Sequence, residues 1–287
     1  MTLIQAIQQH AATMPDHVAL QNGNMTISYH EFVAEIALAQ QAIKECTDDC
    51  TIALAMDNHP AWAALDIAAS ANKTPLVPLP AFFSDTQTLH AIQDAGASVL
   101  ITDNPQRFTE LFDYLVTQTS TIVIAGKRLM MMHLNMATKT LPALTAKITY
   151  TSGTTGQPKG VCLSEQAMLN VAISIQQMVH LTTEDQHLCV LPLSTLLENV
   201  AGLYATLLAG GTAHILSCET VGLSGSSLKV KHLHQALEST QANTAIFIPE
   251  LLTALVYAYE SGAAKLPNLR FLAVGGASVA PKLLTRA

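Results

Sequence analysis

The chain has 287 residues, 49% of them hydrophobic and only 12% charged, with a formal net charge of −7. That length buries a large core without disulfides or structural metals, and the acidic balance offers no basic stripe for a nucleic acid. Five cysteines, an odd number without paired spacing, read as reduced thiols in a cytoplasmic protein. Residues 1–10 lack the basic and apolar parts of a signal peptide. The most apolar stretch, 52–79, is interrupted by Asp57, His59, Asp66 and Lys73, so no transmembrane segment is expected.

In chain order, the pattern alternates strand and helix. Strands 18–21 and 25–28 flank Asn22-Gly23, residues that tolerate the positive φ of a type I′ hairpin turn. Ser28-Tyr29-His30-Glu31 is a capping box that answers amides left bare at a helix start, and its helix runs to about Cys46. A buried strand follows at 51–56, a helix with Pro60 in its first turn at 60–72, and a short strand at 76–78. Ser84-Asp85-Thr86-Gln87 repeats the capping box before a helix to Ala95; strand 98–102, a helix near 105–117 and strand 121–125 come next. Residues 126–146 are the least regular, with Met130, Met131 and Met132 in a row. Strands 148–150 and 161–163 enclose a Gly/Thr-rich loop, followed by helix 165–180, strand 187–191, helix 196–209 and strand 212–217. Residues 222–227 read as a flexible loop. Helix 228–240, strand 245–248, helix 250–261, strand 271–274 and the start of a helix at Pro281 complete the order. This alternation predicts an α/β fold with two helix-flanked, mostly parallel sheets. A stop barely one turn into the last helix is expected of a cut domain.

Thr151-Ser152-Gly153-Thr154-Thr155-Gly156-Gln157-Pro158-Lys159-Gly160 is the segment richest in chemistry. Its glycines let backbone N–H groups converge into an anion-binding nest, its hydroxyls add donors, and Lys159 brings a positive charge. A polyphosphate is the natural guest. It is not a Walker A loop, because Pro158 precedes the lysine and Gly160 follows it. On composition alone, an ordinary flexible surface turn competes with this reading.

The run 148–159 resembles the signature loop of the AMP-binding, adenylate-forming superfamily, which includes acyl-CoA synthetases, luciferases and peptide-synthetase adenylation domains. Other segments are similar in order and spacing. Leu191-Pro192-Leu193-Ser194 with Glu198-Asn199 resembles the segment that lines the acyl pocket, and Ile248-Pro249 the strand end before a pocket helix. Gly275-Gly276-Ala277 resembles the strand end beside the adenine and acyl group, and Ser28-Tyr29 and Pro78-Leu79-Pro80 resemble N-terminal stretches of the family. The resemblance covers essentially the whole chain. It implies the superfamily's N-terminal domain, with residues 1–287 forming two intertwined α/β subdomains that break near 185–190, truncated before a β-barrel and a C-terminal domain.

By resemblance, a substrate carboxylate attacks the α-phosphate of ATP, Mg²⁺ accompanies the nucleotide, and coenzyme A is the usual acceptor. Thr151, Ser152, Gly153, Thr154, Thr155, Gly156 and Lys159 are then nucleotide-binding, with Lys159 and Thr154 catalytic and Thr155 in reach of the magnesium. Gly275, Gly276 and Ala277 also bind the nucleotide, and Thr195, Glu198, Asn199 and Pro249 bind the acid. Two departures stand out. Thr195 occupies a position where members commonly carry His, and the family's later magnesium-holding Glu, ribose-holding Asp and catalytic Lys are absent, so this stretch alone is expected to be inactive. Glu198, where small-acid members have Gly, is similar to long-chain acyl-CoA synthetases and favours a medium or long fatty acid. Loading a carrier protein's phosphopantetheine is the alternative acceptor reading, and a non-catalytic nucleotide- or acyl-binding module the alternative outside enzymes. The face left by the missing parts is expected to be apolar and to favour self-association.

Other clusters are weaker. Cys46 and Cys50 have no second pair for zinc, and His232 and His234, two apart, point to different faces of a helix. Met130–Met132 beside His133 reads as apolar packing rather than copper ligation, and Asp48-Asp49 as a solvated turn.

Overall fold

The computed structural model describes residues 1–45, 50–151, 158–224, 227–263, 265–266 and 268–286. The first half comprises α1 (Leu3–Thr13), β1 (Val18–Asn22), β2 (Met25–Ser28), α2 (Tyr29–Lys44), β3 (Ile52–Ala55), α3 (Pro60–Ala71) and β4 (Leu76–Pro78). It continues with α4 (Asp85–Ala95), β5 (Val99–Thr102), α5 (Pro105–Phe112), β6 (Val116–Ile124), β7 (Lys127–Leu134), β8 (Thr145–Thr151) and β9 (Lys159–Ser164). The second half holds α6 (Glu165–Val179), β10 (Gln186–Leu188), a π-helix (Leu197–Tyr204), α7 (Ala205–Ala209), β11 (Thr212–His214), and the small hairpin β12 (Leu223–Ser224) and β13 (Ser227–Leu228). It ends with α8 (Val230–Ser239), β14 (Thr244–Phe247), α9 (Pro249–Glu260), β15 (Phe271–Val274) and α10 (Pro281–Leu284).

One sheet runs β15-β14-β10-β11-β1-β2 and the other β6-β7-β5-β3-β4-β8-β9. Their centres are parallel, as expected, because β3, β4, β5 and β14 are short, largely apolar runs, and these and β11 are buried at every position. Both sheets are mixed, however: β2, β6, β7 and β9 pair antiparallel with their neighbours at the edges. The amino-terminal hairpin joins the six-stranded sheet through β1 and β11, although the intervening chain builds the other sheet.

α3 is buried on all sides from Pro60 to Ala69. Its five buried alanines at 61, 63, 64, 68 and 69 let neighbouring elements approach closely around Trp62, Leu65 and Ile67. Burying each of those three large side chains contributes about 1.5–3 kcal/mol. The two capping boxes read from sequence form: Glu31 N–H donates to Ser28 Oγ at 3.2 Å and Ser28 N–H to Glu31 Oε2 at 2.8 Å, with Ser84 and Gln87 repeating the pattern.

The structure differs from the expected pattern at several elements. α1 has no counterpart in the expected order, yet Thr2 and Gln5 make a capping box and its apolar stripe of Leu3, Ala6 and Ile7 is buried. The helix expected near 105–117 ends at Phe112, and residues 116–134 form a long antiparallel hairpin in place of a short strand and an irregular stretch. Its turn is Ala125-Gly126, both at positive φ (48° and 71°), so the sequence lacks the usual Asn-Gly signal. Met130–Met132 lie within β7, with Met131 and Met132 buried on opposite faces, as apolar packing requires. The helix expected over 196–209 opens as a π-helix, and the loop expected at 222–227 contains β12 and the start of β13. None of the described helices is long and apolar enough to cross a membrane.

Candidate functional site

β8 lies parallel to β4 and antiparallel to β9, with Tyr150 opposite Gly160 and Thr151 opposite Lys159. The Gly/Thr-rich segment is therefore the loop of a hairpin whose mouth is Thr151 and Lys159, both exposed. It leaves from the carboxyl end of a parallel core, where ligands gather in open α/β sheets. The expected phosphate-binding residues Ser152, Gly153, Thr154, Thr155 and Gly156 lie outside the described residues. α4 braces the hairpin base: His90 Nε2 lies 2.9 Å from Pro158 O, and Tyr150 donates its hydroxyl to Asp94 Oδ2 at 2.9 Å. Burial, with Asp94 beside it, raises the Tyr150 pKa and keeps the phenol protonated as a donor. A Cβ at Gly160 would stand 3.1 Å from the Tyr150 ring, so glycine lets that ring cross the strand.

The second arm is built on the other sheet. After β10 the chain enters Leu191-Pro192-Leu193, and Asn58, in the loop after β3, clasps it. Asn58 Nδ2 donates to Leu191 O at 2.9 Å, and its Oδ1 accepts from Leu193 N–H at 2.7 Å. Thr195, half-buried, closes the next turn by donating both its amide and its hydroxyl to Pro192 O, at 2.9 and 2.7 Å. The π-helix then presents Leu197 beneath Gly275, where a Cβ would come within 2.8 Å of Leu197 Cδ2. Gly276 sits at φ 87°, the left-handed region that excludes most side chains, with Ile248 Cγ2 at 3.4 Å from its Cβ position. Gly275, Gly276, Leu197 and Ile248 therefore meet at the carboxyl ends of β14 and β15. Ala277 is exposed, and Pro249 is half-buried at the first turn of α9.

Glu198 and Asn199, expected to contact the acid, are 0% and 1% exposed. Glu198 Oε1 pairs with His187 Nε2 at 2.9 Å, and its Oε2 accepts from Leu191 N–H at 2.8 Å. Thr244 Oγ1 lies 3.0 Å from His187 Nδ1, so both ring nitrogens are satisfied. Burial, reinforced by Glu198, pushes the Cys189 thiol up and holds it protonated. Asn199 bonds to Asp66 and Lys147, deep between the sheets. Glu198 thus acts on the backbone and on a side chain, and Asn199 on side chains alone.

Sequence reasoning noted Asp66 only as a break in an apolar stretch and passed over Lys147, Tyr204, His187 and Asn58 as site residues. The usable signal was a lone carboxylate in a helix apolar on every side, which demands a buried cation somewhere. A cavity of about 730 Å³, lined by Thr51, Lys73, Thr74, Lys139, Thr145 and Ser164, opens at the opposite, amino-terminal ends of β3, β4 and β8. It belongs to neither arm.

Among the described residues, one group of three could hold a metal: His187, Cys189 and Glu198, with donor atoms within 4.8 Å of one another. This nitrogen, sulfur and oxygen set does not suit Mg²⁺, which takes oxygen ligands and keeps waters, and its members are already hydrogen-bonded inside the core.

A family model described as AMP-binding enzyme matches residues 7–287. Malpinin synthetase of Mortierella alpina is 26% identical over 292 residues, covering 100% of this chain and 4% of that protein. Feruloyl-CoA synthase of an Amycolatopsis species is 26% identical, covering 97% of this chain and 55% of that protein. Among solved structures, o-succinylbenzoate CoA synthetase of Bacillus subtilis superposes with a TM-score of 0.77 at 20% identity, covering 98% of this chain and 55% of that one. The amide bond synthetase McbA from Marinactinospora thermotolerans gives 0.77 at 21% identity, covering 100% and 57%. The chain thus spans about half the length of the last three proteins and a small part of the first. Because the family match runs through both sheets and the hairpin loop alike, the chain belongs to the AMP-binding, adenylate-forming enzymes.

Proposed function

We propose that the protein carrying this chain activates a carboxylic acid with ATP and passes the acyl group to a thiol. A carboxylate oxygen attacks the α-phosphorus, the bond to the bridging oxygen breaks, and pyrophosphate leaves with that electron pair. The carboxylate is already ionised near neutral pH, so the step needs no protein base. The chain's contribution is placement and charge stabilisation. The observation that carries the reading is the hairpin loop at the carboxyl end of the parallel core, with Lys159 exposed at its mouth. Lys159 and the loop hydroxyls, Thr154 among them, would steady the β- and γ-phosphates, and Thr151 and the backbone of 152–156 would add donors. Gly275, Gly276 and Ala277 would let the adenylate lie against bare backbone. Mg²⁺ would arrive on the nucleotide's own phosphates, with Thr155 in reach of it.

Thr195 and Pro249, half-buried, are the expected residues that can face an acid. Glu198 and Asn199 are read as shaping that wall from behind. Glu198 supports a medium- or long-chain fatty acid through the similarity of its segment to long-chain synthetases, and coenzyme A is the proposed acceptor. Acid-dependent ATP–pyrophosphate exchange by the full-length protein tests the activation step. Fatty acids are expected to support exchange. Exchange only with amino or aromatic acids overturns the substrate, and no exchange with any acid overturns the reaction. Adding coenzyme A or a phosphopantetheinylated carrier protein to the working mixture then decides the acceptor.

A further inference from the structure

Lys147 sits on β8, just ahead of the hairpin mouth at Thr151, and is 2% exposed. Its ammonium lies 2.8 Å from Asp66 Oδ1 and 3.0 Å from Asp66 Oδ2, on α3. It also donates to Asn199 Oδ1 and, at 3.2 Å, to Tyr204 Oη, both on the π-helix. Asp66 Oδ2 in turn accepts from Asn199 Nδ2 at 2.8 Å and from the Tyr204 hydroxyl at 2.7 Å. The Tyr204 and Trp62 rings lie 5.1 and 5.6 Å from the ammonium. All three protons of the ammonium and the Tyr204 hydroxyl proton have acceptors, and Lys147 and Asp66 form a buried ion pair.

Such a network contributes little to stability over apolar packing of the same volume, since desolvating two ions cancels most of their attraction. What it specifies is geometry. The alternative partners inside the core are apolar, so three elements can meet in one register only. Those elements lead to both arms of the site. β8 runs directly into the hairpin, while the π-helix carries Leu197 under Gly275 and Glu198 onto the amide of Leu191. π-Helices are strained and collect at functional sites, and this one is held near each end by the network, at Asn199 and Tyr204.

We propose that Lys147 is a positioning residue: its buried contacts with Asp66, Asn199 and Tyr204 fix the phosphate-loop strand against the π-helix that walls the acid side. Lys147 touches neither substrate; it sets the distance between the groups that do. The activity arm of its test rests on the acid-activation reading above, and the exchange arm does not.

The test compares the wild-type full-length protein with Lys147→Met and with Lys147→Met/Asp66→Asn. The single variant strands a buried carboxylate and is expected to lose stability. The double variant removes both charges while the carboxamide introduced at position 66 can still bond Asn199 and Tyr204, so it should fold. In the double variant, amides of 148–151 and 197–204 should exchange with deuterium about tenfold faster, with α9 unchanged, because local opening no longer breaks the network. Its kcat in acid-dependent ATP–pyrophosphate exchange should fall about 10²-fold, the usual cost of displacing reacting groups by an ångström, with the KM for ATP little changed. Tyr204→Phe, which deletes the hydroxyl contacts and keeps both charges, should shift both readouts the same way to a smaller extent; it carries the test if the double variant does not fold. Wild-type deuterium exchange in both segments of a folded variant would reduce Lys147 to core filling and overturn the proposal. Should the wild type show no acid-dependent activity while the two segments loosen together in the variant, the acid-activation reading falls and the positioning role stands.

Discussion

The hairpin arm and the π-helix arm of the site are polar in opposite ways. Thr151 and Lys159 stand in water at the mouth of their loop, held from below by His90, Tyr150 and Asp94. Glu198 and Asn199 are buried and bonded to His187, Leu191, Asp66 and Lys147. A charged group left in solvent beside a glycine-rich loop is available to a ligand. A buried polar group with every atom answered fixes the position of its neighbours. Residues from segments that resemble one family's motifs therefore divide into exposed ones, proposed to touch a ligand, and buried ones that hold.

The largest expected effect tests the touching side. Lys159→Ala in the full-length protein should lower acid-dependent ATP–pyrophosphate exchange by about 10²–10³, the cost of losing one electrostatic contact in a transition state. Its thermal unfolding should be unchanged, because the side chain is exposed. A normal exchange rate would remove Lys159 from the phosphate site. Loss of stability would make the hairpin arm a structural element like its counterpart.

Glu198→Ala should behave in the reverse way. It leaves His187 and the Leu191 amide without their acceptor in a dry interior, and is expected to cost about 3 kcal/mol in urea unfolding. Activity per folded molecule should fall less than in Lys159→Ala. A variant as stable as wild type but inactive would put the Glu198 carboxylate on the substrate and erase the distinction between the arms.

What the sequence made legible follows the same division. The hairpin loop could be read because its demands are local: glycine for backbone freedom, hydroxyls and a lysine for an anion. The parallel centres were equally plain, since a continuous apolar run such as residues 52–55 fits few other places. The Asp66–Lys147–Asn199–Tyr204 network was not, because residues 66 and 199 become neighbours only after the two sheets have packed. The β6–β7 hairpin escaped notice for a related reason. Its turn is Ala-Gly, and the β6–β7 ladder, closing at Ile124 opposite Lys127, holds Ala125 in a conformation that its own propensity disfavours.

A titration sharpens the comparison at intermediate size. His214 Nε2 on β11 donates to Gln186 Oε1 at 2.8 Å, and burial, with His187 nearby, lowers its pKa to about 4. In the folded protein it stays neutral where the unfolded chain takes up a proton. The stability it confers is therefore complete above the ordinary histidine value of about 6.5 and is lost as pH falls toward about 4. The loss should reach about 3 kcal/mol in urea unfolding across that window, and His214→Asn should flatten that limb. A flat limb in the wild type would show that protons enter this core freely, and that the polar clusters behind the site are less closed than their burial indicates.

The smallest expected effect falls on Thr195, the residue that stands between the two kinds. It is half-buried, and its hydroxyl donates to Pro192 O at 2.7 Å, so it both supports its own turn and borders the side of the site proposed for the acid. Thr195→His removes one hydrogen bond within a turn whose amide bond to the same carbonyl remains, at a cost of about 1 kcal/mol. The larger ring then fills space on the Leu-Pro-Leu side, while the phosphate contacts are proposed for the loop after β8, on the other sheet. Acyl-chain preference in the exchange assay should therefore change, with the longest acids losing most, and the KM for ATP should stay within about twofold, less than a methylene's worth of binding energy. Equal losses across chain lengths with a raised KM for ATP would mean that Thr195 faces the nucleotide, and that the Leu191–Asn58 clasp positions the phosphate side of the site.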